Sequence, residues 1–592
     1  MITGEGIDVI IHSTHEAGYK IGGIGAVLDG LLSAKSYLKN VRRSILIGPF
    51  DSRDAVGMER LQSPRNALIT HYSSLTSVTG ADPVSTKLRE IEQRYRVRII
   101  YGRRRFGQAQ HELILVDPTE ADLSRVNDFK YRLWERFGLH SDRYESNYEY
   151  DHYIRAAEPQ YLALEAVLGT DIQRPHKVMM AHEFMGVPLC LASELHRPQS
   201  FCRVYYAHEV PPVRPIVEEH PGHDTMFYNV MHLAQKEHLS FPQIFGDQSF
   251  FFKHALLEMA GEFAAIFAVG DLVVGELRFL GTRFATKTID LVYNGIPTPQ
   301  VSLNDKLQSV GRLRHYARNL LSMQPDYVFT HVARLVQSKG LWRDLRVMEQ
   351  LDSLLAAQGS SAVLFVLATA LPSGRHSEDI LRMEAEYGWP VVHHEGYPDL
   401  VGTEVPFYHS VNSFNEQAKA TKIVFVNQFG WDREHCGLHM PEDMSFVDIR
   451  MGSDLEFGQS IYEPFGIAQV EPLPYGALCL VSSACGCVGF ATRAGSERSS
   501  NVIVADYISL PPHLTSHSWR EALMIGKDTR DLVERYRSRE AAELAAQLLP
   551  KSDKQREELI QRGYSLAQGM SWEVVVGEYL LPALARALHA AG

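Results

Sequence analysis

The sequence predicts an α/β protein of two large domains, each organised around a parallel β-sheet. A chain of 592 residues with 45% hydrophobic content is too long for one core and suits two domains. Mainly apolar and β-branched runs at residues 7–11 and 328–332 are typical of buried parallel strands. Each run leads into a turn and then a helical pattern, which is the repeating unit of a parallel sheet.

Bulk composition limits the class of protein. A net charge of −12 does not favour nucleic acid as a partner. Met1 is not followed by a basic and apolar leader, and no apolar run reaches the roughly 18 residues that a spanning helix needs. Six cysteines in so long a chain do not form a disulfide framework. We therefore expect a cytoplasmic protein with reduced thiols and no membrane partner, and a homo-oligomer is left open.

The first predicted strand is followed by a glycine loop, Tyr19-Lys20-Ile21-Gly22-Gly23-Ile24-Gly25, and then by a helical pattern over 26–38. Such a loop lies at the carboxyl edge of the sheet, where α/β folds bind ligands. Its glycines let the backbone approach a phosphate, and Lys20 adds a positive charge. The dinucleotide spacing G-x-G-x-x-G is absent. From the residues alone, a tight turn with a solvated lysine is the alternative.

The second domain begins with the strand 328–332, which leads into Arg334-Leu335-Val336-Gln337-Ser338-Lys339-Gly340 and a helix over 341–357. Two cations that flank a turn at a helix start are suited to holding a diphosphate. Two solvated cations near a helix are the alternative interpretation.

Residues 460–476 place two carboxylates, Glu463 and Glu471, around a Pro-Phe-Gly turn. The turn cannot be helical at its proline, so a helix is expected to open after it with free backbone N–H groups at Gly466 and Ile467. Such an N-terminus favours an anion, phosphate above all. Glu471 is expected about one and a half turns into this helix.

A short strand at 178–181 ends in His182-Glu183-Phe184, and residues 203–207 followed by His208-Glu209 repeat the pattern. A neutral histidine at a strand end can hydrogen-bond a hydroxyl or a backbone carbonyl. Neither place contains His-Glu-x-x-His, which excludes a metalloprotease zinc site there. From the residues alone, a capping histidine at the sheet edge is favoured.

Other polar clusters are expected to be structural. His393-His394-Glu395 and Asp432-Arg433-Glu434-His435-Cys436 are interpreted as surface groups, with no metal. Arg103-Arg104-Arg105 is interpreted as a solvated turn, with a polyanion site as the alternative. Three cysteines near the end of the chain are expected to be small buried hydrophobes, namely Cys479, Cys485 and Cys487.

Several of these motifs resemble those of a known family. The Glu-x7-Glu segment resembles that of retaining glycosyltransferases of the GT-B architecture, and Lys-x-Gly-Gly at 20–23 resembles the donor loop of glycogen and starch synthases. Residues 15–24 look most like the eukaryotic-type glycogen synthases. Arg-x4-Lys-Gly at 334–340 and the His182 motif also resemble family motifs, although Phe184 replaces the usual tryptophan. The resemblance implies an α/β fold with two Rossmann-like domains (GT-B) facing each other across a nucleotide-sugar cleft.

The resemblance also implies roles for site residues. Glu471 is expected to bind the ribose of the donor. The full set of residues expected to bind the donor is Lys20, Gly23, Gly466, Ile467 and Glu471. The catalytic set is Glu463, His182, Arg334 and Lys339. In that set Arg334 and Lys339 neutralise the leaving diphosphate, so neither metal nor cofactor is required, while His182 and Glu463 hold sugar hydroxyls. Transfer proceeds by a same-face displacement or, in an older alternative, by a double displacement with Glu463 as nucleophile.

The expected activity is therefore a glycogen synthase-like transfer of glucose from UDP- or ADP-glucose to the non-reducing end of an α-1,4-glucan. Predicted domains are 1–300 on the acceptor side, 325–575 for the nucleotide-sugar, and a C-terminal helix over 576–592 near the domain junction. A sucrose- or trehalose-type transferase acting on a small acceptor is an alternative. A phosphorylase would need a pyridoxal phosphate lysine motif that is not found. A non-catalytic glucan-binding or regulatory scaffold is the alternative outside the enzyme class.

Overall fold

The computed structural model describes residues 6–495 and 501–591. Within these residues the chain divides into two compact units. Unit 1 comprises Met1–Pro212, Leu239–Gly295 and Trp572–Gly592, and unit 2 comprises Val213–His238 and Ile296–Ser571. Each unit contains its own sheet of mainly parallel strands, which confirms the predicted α/β class.

The sheet of unit 1 has nine described strands in the order β3-β4-β5-β2-β1-β6-β7-β8-β9. All neighbouring pairs are parallel except β3–β4 and β4–β5, which are antiparallel. The strands are β1 Ile7–Ser13, β2 Val41–Pro49, β3 Ile69–Ser73, β4 Arg98–Phe106, β5 Ala109–Asp117, β6 Lys177–His182, β7 Cys202–Ala207, β8 Ala265–Ala268 and β9 Ile289–Leu291.

The sheet of unit 2 has six described strands, all parallel, in the order β12-β11-β10-β13-β14-β15. They are β10 Tyr327–Val332, β11 Ala362–Leu367, β12 Thr421–Val426, β13 Leu455–Gly458, β14 Leu478–Ser482 and β15 Val502–Ala505.

Helices connect these strands. The first thirteen α-helices are α1 Gly23–Ser33, α2 Lys35–Asn40, α3 Ala55–Gln62, α4 Pro83–Tyr95, α5 Leu123–Phe137, α6 Tyr148–Leu168, α7 Val187–His196, α8 Val213–Glu219, α9 His223–Lys236, α10 Phe241–Phe245, α11 Phe252–Ala260, α12 Asp271–Leu280 and α13 Thr282–Ala285. The others are α14 Leu303–Leu321, α15 Leu341–Gln358, α16 Ser377–Tyr387, α17 Glu404–Gln417, α18 Arg433–Cys436, α19 Phe446–Met451, α20 Ile467–Val470, α21 Cys487–Ala494, α22 Trp519–Leu523, α23 Lys527–Leu548, α24 Asp553–Gly569, α25 Trp572–Val574 and α26 Leu581–Ala591. A π-helix, Val575–Leu580, joins the last two.

Both faces of the unit 2 sheet are buried. Phe329 and Leu364 belong to one hydrophobic cluster, whereas their sequence neighbours Val328 and Phe365 belong to another. Successive side chains of a strand point to opposite faces, so the two clusters cover the two faces of the sheet. Burial on both faces explains why a central strand such as β11 is apolar at every position, without alternation.

The division of the chain differs from the predicted one in two places. Residues 213–238 belong to unit 2 rather than to an N-terminal domain running to 300. They are held by a bidentate ion pair from Arg343 to Asp224, at 2.6 and 3.0 Å, and by the Thr225 hydroxyl, which donates to the Tyr507 carbonyl at 2.8 Å. Long-range contacts of this kind leave no pattern in the local sequence.

The second difference is the C-terminal helix, which begins at Trp572 and packs on unit 1. An added Cβ at Gly30 would overlap the Trp572 indole at 2.0 Å, so the indole lies directly on that glycine. Tyr579 packs edge-on against Tyr293, with 5.2 Å between ring centroids, and Arg586 pairs with Asp290 at 2.7 Å.

Among the described helices, the stretch Trp572–Ala591 is long and apolar enough to cross a membrane by length and composition, with a mean hydropathy of 1.2. Length and composition alone are weak evidence, because buried core helices pass the same test. The absence of a membrane partner stays a prediction.

Candidate functional site

The unit 2 sheet reverses its order beside β10. The chain runs from β10 to β11 and β12 on one side, then returns to place β13, β14 and β15 on the other. Loops that leave β10 and β13 therefore diverge at their carboxyl ends, which is where open α/β sheets bind ligands. Those two loops carry Arg334, Lys339 and Glu463, so the fold brings these predicted residues to one place.

An ion pair joins the two loops directly. The Lys339 ammonium donates to the Glu463 carboxylate, and both side chains are half-buried. The Ile461 N–H donates to the Ser338 carbonyl at 2.8 Å, so the backbones are tied as well. Gly340 has a φ of +61°, and a Cβ there would lie 2.5 Å from the Gln459 carbonyl oxygen. The close approach of the loops therefore requires glycine at position 340.

Arg334 follows β10 and is exposed. Within the part of the chain that the structure describes, its guanidinium makes no ion pair, in contrast to the ammonium of Lys339. An exposed guanidinium without an ion pair among the described residues, on the same loop as Lys339, suits an anion.

The predicted helix after Gly466 is present but short. It covers Ile467–Val470, and Glu471 follows its last residue rather than lying inside it. Gly466 has a φ of +89°, and a Cβ there would lie 2.9 Å from the Glu463 Cγ. The turn at Gly466 therefore helps to set the position of Glu463.

Arg450 is a residue of this site that sequence reasoning missed. Its guanidinium pairs with Glu471 at 3.3 Å and donates to the buried Glu456 carboxylate at 2.9 Å. It also donates to the Ala468 carbonyl at 3.2 Å, so it supports both Glu471 and the short helix. Arg450 lies in α19, on a different element from the motif, and no local pattern connects the two.

The unit 1 sheet has the same kind of reversal between β1 and β6. The Lys20 loop leaves β1, and His182 is the last residue of β6. Both therefore lie at the carboxyl edge where this sheet would bind a ligand. Lys20 is 53% exposed and pairs loosely with Asp29 at 3.7 Å. At Gly23, the first residue of α1, a Cβ would meet nothing within 4 Å, so packing does not require glycine there.

Glu16 organises the Lys20 loop from within. Its buried carboxylate accepts hydrogen bonds from the backbone N–H groups of Ile21 and Gly22, both at 2.6 Å. A Cβ at Gly25 would lie 2.5 Å from the same carboxylate. The N–H groups of Ile21 and Gly22, which could bind a phosphate, are therefore hydrogen-bonded to the Glu16 carboxylate in this structure. Glu16 stands in the predicted motif, but its role depends on the folded loop.

The interpretation of Arg103-Arg104-Arg105 as a solvated turn is wrong. These residues lie in β4, where exposure alternates, so Arg104 points inward and is 3% exposed. Its guanidinium donates to the carbonyls of Glu16 at 3.2 Å and Ala17 at 2.9 Å and lies over the Phe106 ring. Arg104 thereby supports the start of the Lys20 loop. The alternation of inward and outward side chains along a strand could have predicted the burial of Arg104. Three consecutive arginines show no alternation of polar and apolar residues, so the strand was not recognised there.

His182 is fully buried. Its Nε2 lies 2.9 Å from Nδ1 of His12, and its Nδ1 lies 3.1 Å from Nε2 of His208. Burial lowers the pKa of His182 well below its usual value, and His208 lowers it further. Both ring nitrogens have partners in this structure, and direct contact of His182 with a sugar stays a prediction.

Glu183 follows His182 with a φ of +64° and a buried carboxyl group. One oxygen, Oε1, accepts from the backbone N–H groups of His208 and Glu209, and Oε2 pairs with the Tyr205 hydroxyl at 3.2 Å. Burial raises the pKa of Glu183 to about 8, with a further contribution from Glu209. A protonated Oε2 beside Tyr205 fits this arrangement, since both N–H donors use the other oxygen.

The interpretation of the remaining polar clusters as surface groups is wrong for His393, which is buried and hydrogen-bonded to Asp399 at 2.8 Å. All six cysteines are buried and free of disulfides, as predicted for Cys479, Cys485 and Cys487, and burial raises the pKa of Cys485 to about 11. Asp432 caps α18 by accepting from the His435 N–H. Donor atoms of Asp432, Glu434 and His435 lie within 4.8 Å of one another on the surface, which is common without an ion. The expectation of no metal stays a prediction.

A surface groove of about 710 Å³ lies elsewhere on unit 2, between α15 and α17. It contains none of the predicted site residues. Its lining includes Trp342, Arg346, Asp352, His409, Phe414 and Lys419.

Comparison with solved structures identifies the fold. The catalytic domain of starch synthase IV from Arabidopsis thaliana, bound to ADP and acarbose, superposes with a TM-score of 0.51 at 13% identity, covering 99% of this chain and 100% of that one. The N-terminal domain of trehalose-6-phosphate phosphatase from Candida albicans gives a TM-score of 0.51 at 10% identity, covering 99% and 98%. A UDP-forming α,α-trehalose-phosphate synthase from Burkholderia vietnamiensis gives 0.48 at 12% identity, covering 99% of both chains.

No family model and no curated protein matches the chain. The likeness to solved structures concerns the fold, which is the GT-B type with two Rossmann-like units.

Proposed function

We propose that the protein is a retaining glycosyltransferase that moves glucose from UDP- or ADP-glucose to the non-reducing end of an α-1,4-glucan, as a glycogen synthase does. One observation carries the proposal. Lys339 and Glu463 form an ion pair between the loops of two adjacent strands at the reversal point of the unit 2 sheet, and Arg334 is exposed on the same loop as Lys339. That arrangement combines positive charge for a diphosphate with a carboxylate for a sugar.

In this proposal the donor's diphosphate binds to Arg334 and Lys339. Its negative charge grows as the bond to the sugar breaks, so fixed cations stabilise the transition state more than the ground state. Because these cations supply the charge, the reaction needs no metal and no cofactor. The ion pair between Lys339 and Glu463 holds both side chains, which reduces the cost of ordering them when a donor binds.

Glu463 then holds hydroxyls of the transferred glucose, a role that the resemblance also gives to His182. Glu471 holds the ribose, with its carboxylate oriented by Arg450 at 3.3 Å. Backbone N–H groups at Gly466 and Ile467 complete the proposed diphosphate site of unit 2, and the resemblance also gives Lys20 and Gly23 a role in donor binding. The proton of the acceptor hydroxyl passes to the leaving diphosphate in a same-face displacement.

A trehalose-type transferase is the second candidate. The Candida albicans structure of the same fold carries the name trehalose-6-phosphate phosphatase, although its likeness extends to the fold alone. The candidate keeps the donor site of unit 2 and exchanges the glucan for a small sugar acceptor. The cytoplasmic location expected from the sequence is compatible with either acceptor.

The test is release of nucleoside diphosphate from UDP-glucose and ADP-glucose, with glycogen, glucose 6-phosphate or no acceptor. We expect glycogen-dependent release from one donor and a loss of at least about 100-fold in Arg334→Ala. Arg562→Ala is the matched control, because Arg562 is also exposed in unit 2. Release that needs glucose 6-phosphate would favour the second candidate. Bound glycogen with no release from either donor would favour the non-catalytic scaffold.

A further inference from the structure

Three histidines from three neighbouring strands of unit 1 form one hydrogen-bonded array. His12 lies in β1, His182 ends β6, and His208 directly follows β7. The bond between His12 and His182 is 2.9 Å long, and the bond between His182 and His208 is 3.1 Å long. The rings of His182 and His208 are nearly parallel, with 16° between their planes.

The inner end of the array is closed by hydroxyl groups. His12 Nε2 lies 2.9 Å from the Tyr37 hydroxyl, which lies 2.8 Å from the Ser44 hydroxyl. His12, Tyr37 and Ser44 are all buried. The inner end therefore has hydroxyl hydrogens that can turn either way.

Neutral rings allow only two hydrogen arrangements along this array. Burial lowers the pKa of His12 and His182 well below the usual value and that of His208 to about 3, so all three rings are neutral at pH 7. A neutral imidazole has one N–H and one acceptor nitrogen. Each bond between rings needs one of each, so the three rings must share one tautomer.

The shared tautomer decides what the outer end presents. If the rings carry Nε2–H, His208 offers Nδ1 as an acceptor, and if they carry Nδ1–H, it offers a donor. His208 is partly exposed, and its Nδ1 makes no hydrogen bond with any residue in 6–495 or 501–591. Tyr37 and Ser44 can satisfy either arrangement by turning their hydroxyls.

The backbone at His208 is fixed in place. The N–H groups of His208 and Glu209 both donate to Glu183 Oε1. Glu183 directly follows His182, so the same short segment supplies the middle ring of the array and the support of its outer ring.

We propose that His208, rather than the buried His182, is the histidine of unit 1 that binds a sugar hydroxyl, and that His12, His182 and Tyr37 position it by coupling its tautomer to theirs. The inference rests on the proposed function for the identity of the ligand as a sugar. A hydroxyl is itself both donor and acceptor, so it can pair with either form of the ring. The array lets His208 adapt to the hydroxyl without exposing an unpaired buried group.

The first part of the test reads the tautomers without any ligand. The full chain is labelled with ¹⁵N-histidine and studied by two-bond ¹H–¹⁵N correlation at pH 7, with each ring assigned from its Gln variant. We expect His12, His182 and His208 to show the same tautomer. Mixed tautomers would overturn the array.

Tyr37→Phe then removes the group at the inner end. A buried N–H without a partner is less tolerable than a buried acceptor without one, so all three rings should carry Nδ1–H in this variant. His208 with Nε2–H in a folded Tyr37→Phe protein would overturn the coupling. If Tyr37→Phe does not fold, the tautomers of the three histidines in the wild-type protein are the test of the array.

The second part uses UDP-glucose, ADP-glucose and maltotriose as separate probes, which distinguish the donor's hydroxyls from those of the glucan. We expect the His208 signals to shift on addition of at least one probe. In His208→Gln the dissociation constant of that probe should rise about threefold to tenfold. His71→Gln is the control, because His71 is an exposed histidine of the same sheet.

A His208 ring that responds to none of the three probes would overturn the assignment. Binding reported by His208 without transfer from either donor would instead reject the proposed reaction and keep the hydroxyl site, so the two failures are distinguishable.

Discussion

Lys339 and Glu463 lie 124 residues apart in the sequence and form an ion pair between the loops of two adjacent parallel strands. The pair exists because the unit 2 sheet reverses its order between β10 and β13. Neither loop alone places a cation beside a carboxylate. In the proposed reaction this pair connects the diphosphate with the sugar.

Removing the lysine should affect transfer more than folding. In Lys339→Ala we expect kcat/KM for nucleoside diphosphate release to fall about 100-fold or more, because a cation that stabilises the leaving group is lost. The thermal midpoint should also fall, because the Glu463 side chain is only 15% exposed and its carboxylate loses its partner. Lys554→Ala, at an exposed lysine of unit 2, is the control. Unchanged kcat/KM in Lys339→Ala would contradict the proposed role.

Gly466 should be required for the position of Glu463. A Cβ in Gly466→Ala would lie 2.4 Å from Gln469 Oε1 and 2.9 Å from Glu463 Cγ, so we expect transfer to fall at least tenfold. Gly359→Ala is the matched control, because Gly359 also has a positive φ but would meet nothing within 4 Å. Both variants should lose about 1 kcal/mol of stability from the backbone strain. Equal transfer rates in the two variants would show that the contact with Glu463 is unimportant.

Arg104 should contribute to stability, whereas its neighbours should not. Arg104→Met leaves the carbonyls of Glu16 and Ala17 without their charged donor, and we expect a loss of about 2 kcal/mol. Hydrogen exchange at residues 16–22 should become faster. Arg103→Met and Arg105→Met are the controls, because both side chains are exposed in the same strand. A loss of similar size in a control would remove the special role of Arg104.

The contribution of Glu183 to the stability of the folded protein should decrease as the pH rises. The folded-state pKa of about 8 lies above the unfolded value near 4.5, so between these values the unfolded chain releases a proton that the folded protein retains. Stability then falls with rising pH by at most about 1.4 kcal/mol per unit, and the loss is complete above pH 8. A glutamine at position 183 keeps an acceptor oxygen for the N–H groups of His208 and Glu209 and does not ionise.

Glu183→Gln should therefore gain stability relative to the wild type as the pH rises from 5 to 8, measured as the difference in thermal midpoint at each pH. Glu59→Gln, at an exposed residue of unit 1, should show no such trend. A difference that is constant with pH would mean that Glu183 ionises normally in the folded protein.

The fold class and the positions of the main strands along the chain could be predicted from the sequence, because strands buried on both faces are mainly apolar runs and glycine loops follow them. The Lys20 loop, the Arg334–Gly340 segment and the Glu463 turn were found for the same reason, since each is a local pattern beside a strand. Their placement at the reversal points of the two sheets was implied by the resemblance and is given by the strand order of the structure.

Only the tertiary structure decided the partners of these residues. Arg450 reaches Glu471 from another helix, Glu16 holds the backbone of the Lys20 loop, and Arg104 is buried in a strand that looked like a basic turn. The histidine array joins residues from three strands and so has no sequence signature at all. Local sequence determines strands, turns and loop chemistry through backbone preference and hydrophobic period. Which polar groups meet across the fold depends on strand order and packing, where contacts between residues far apart in the chain set the geometry.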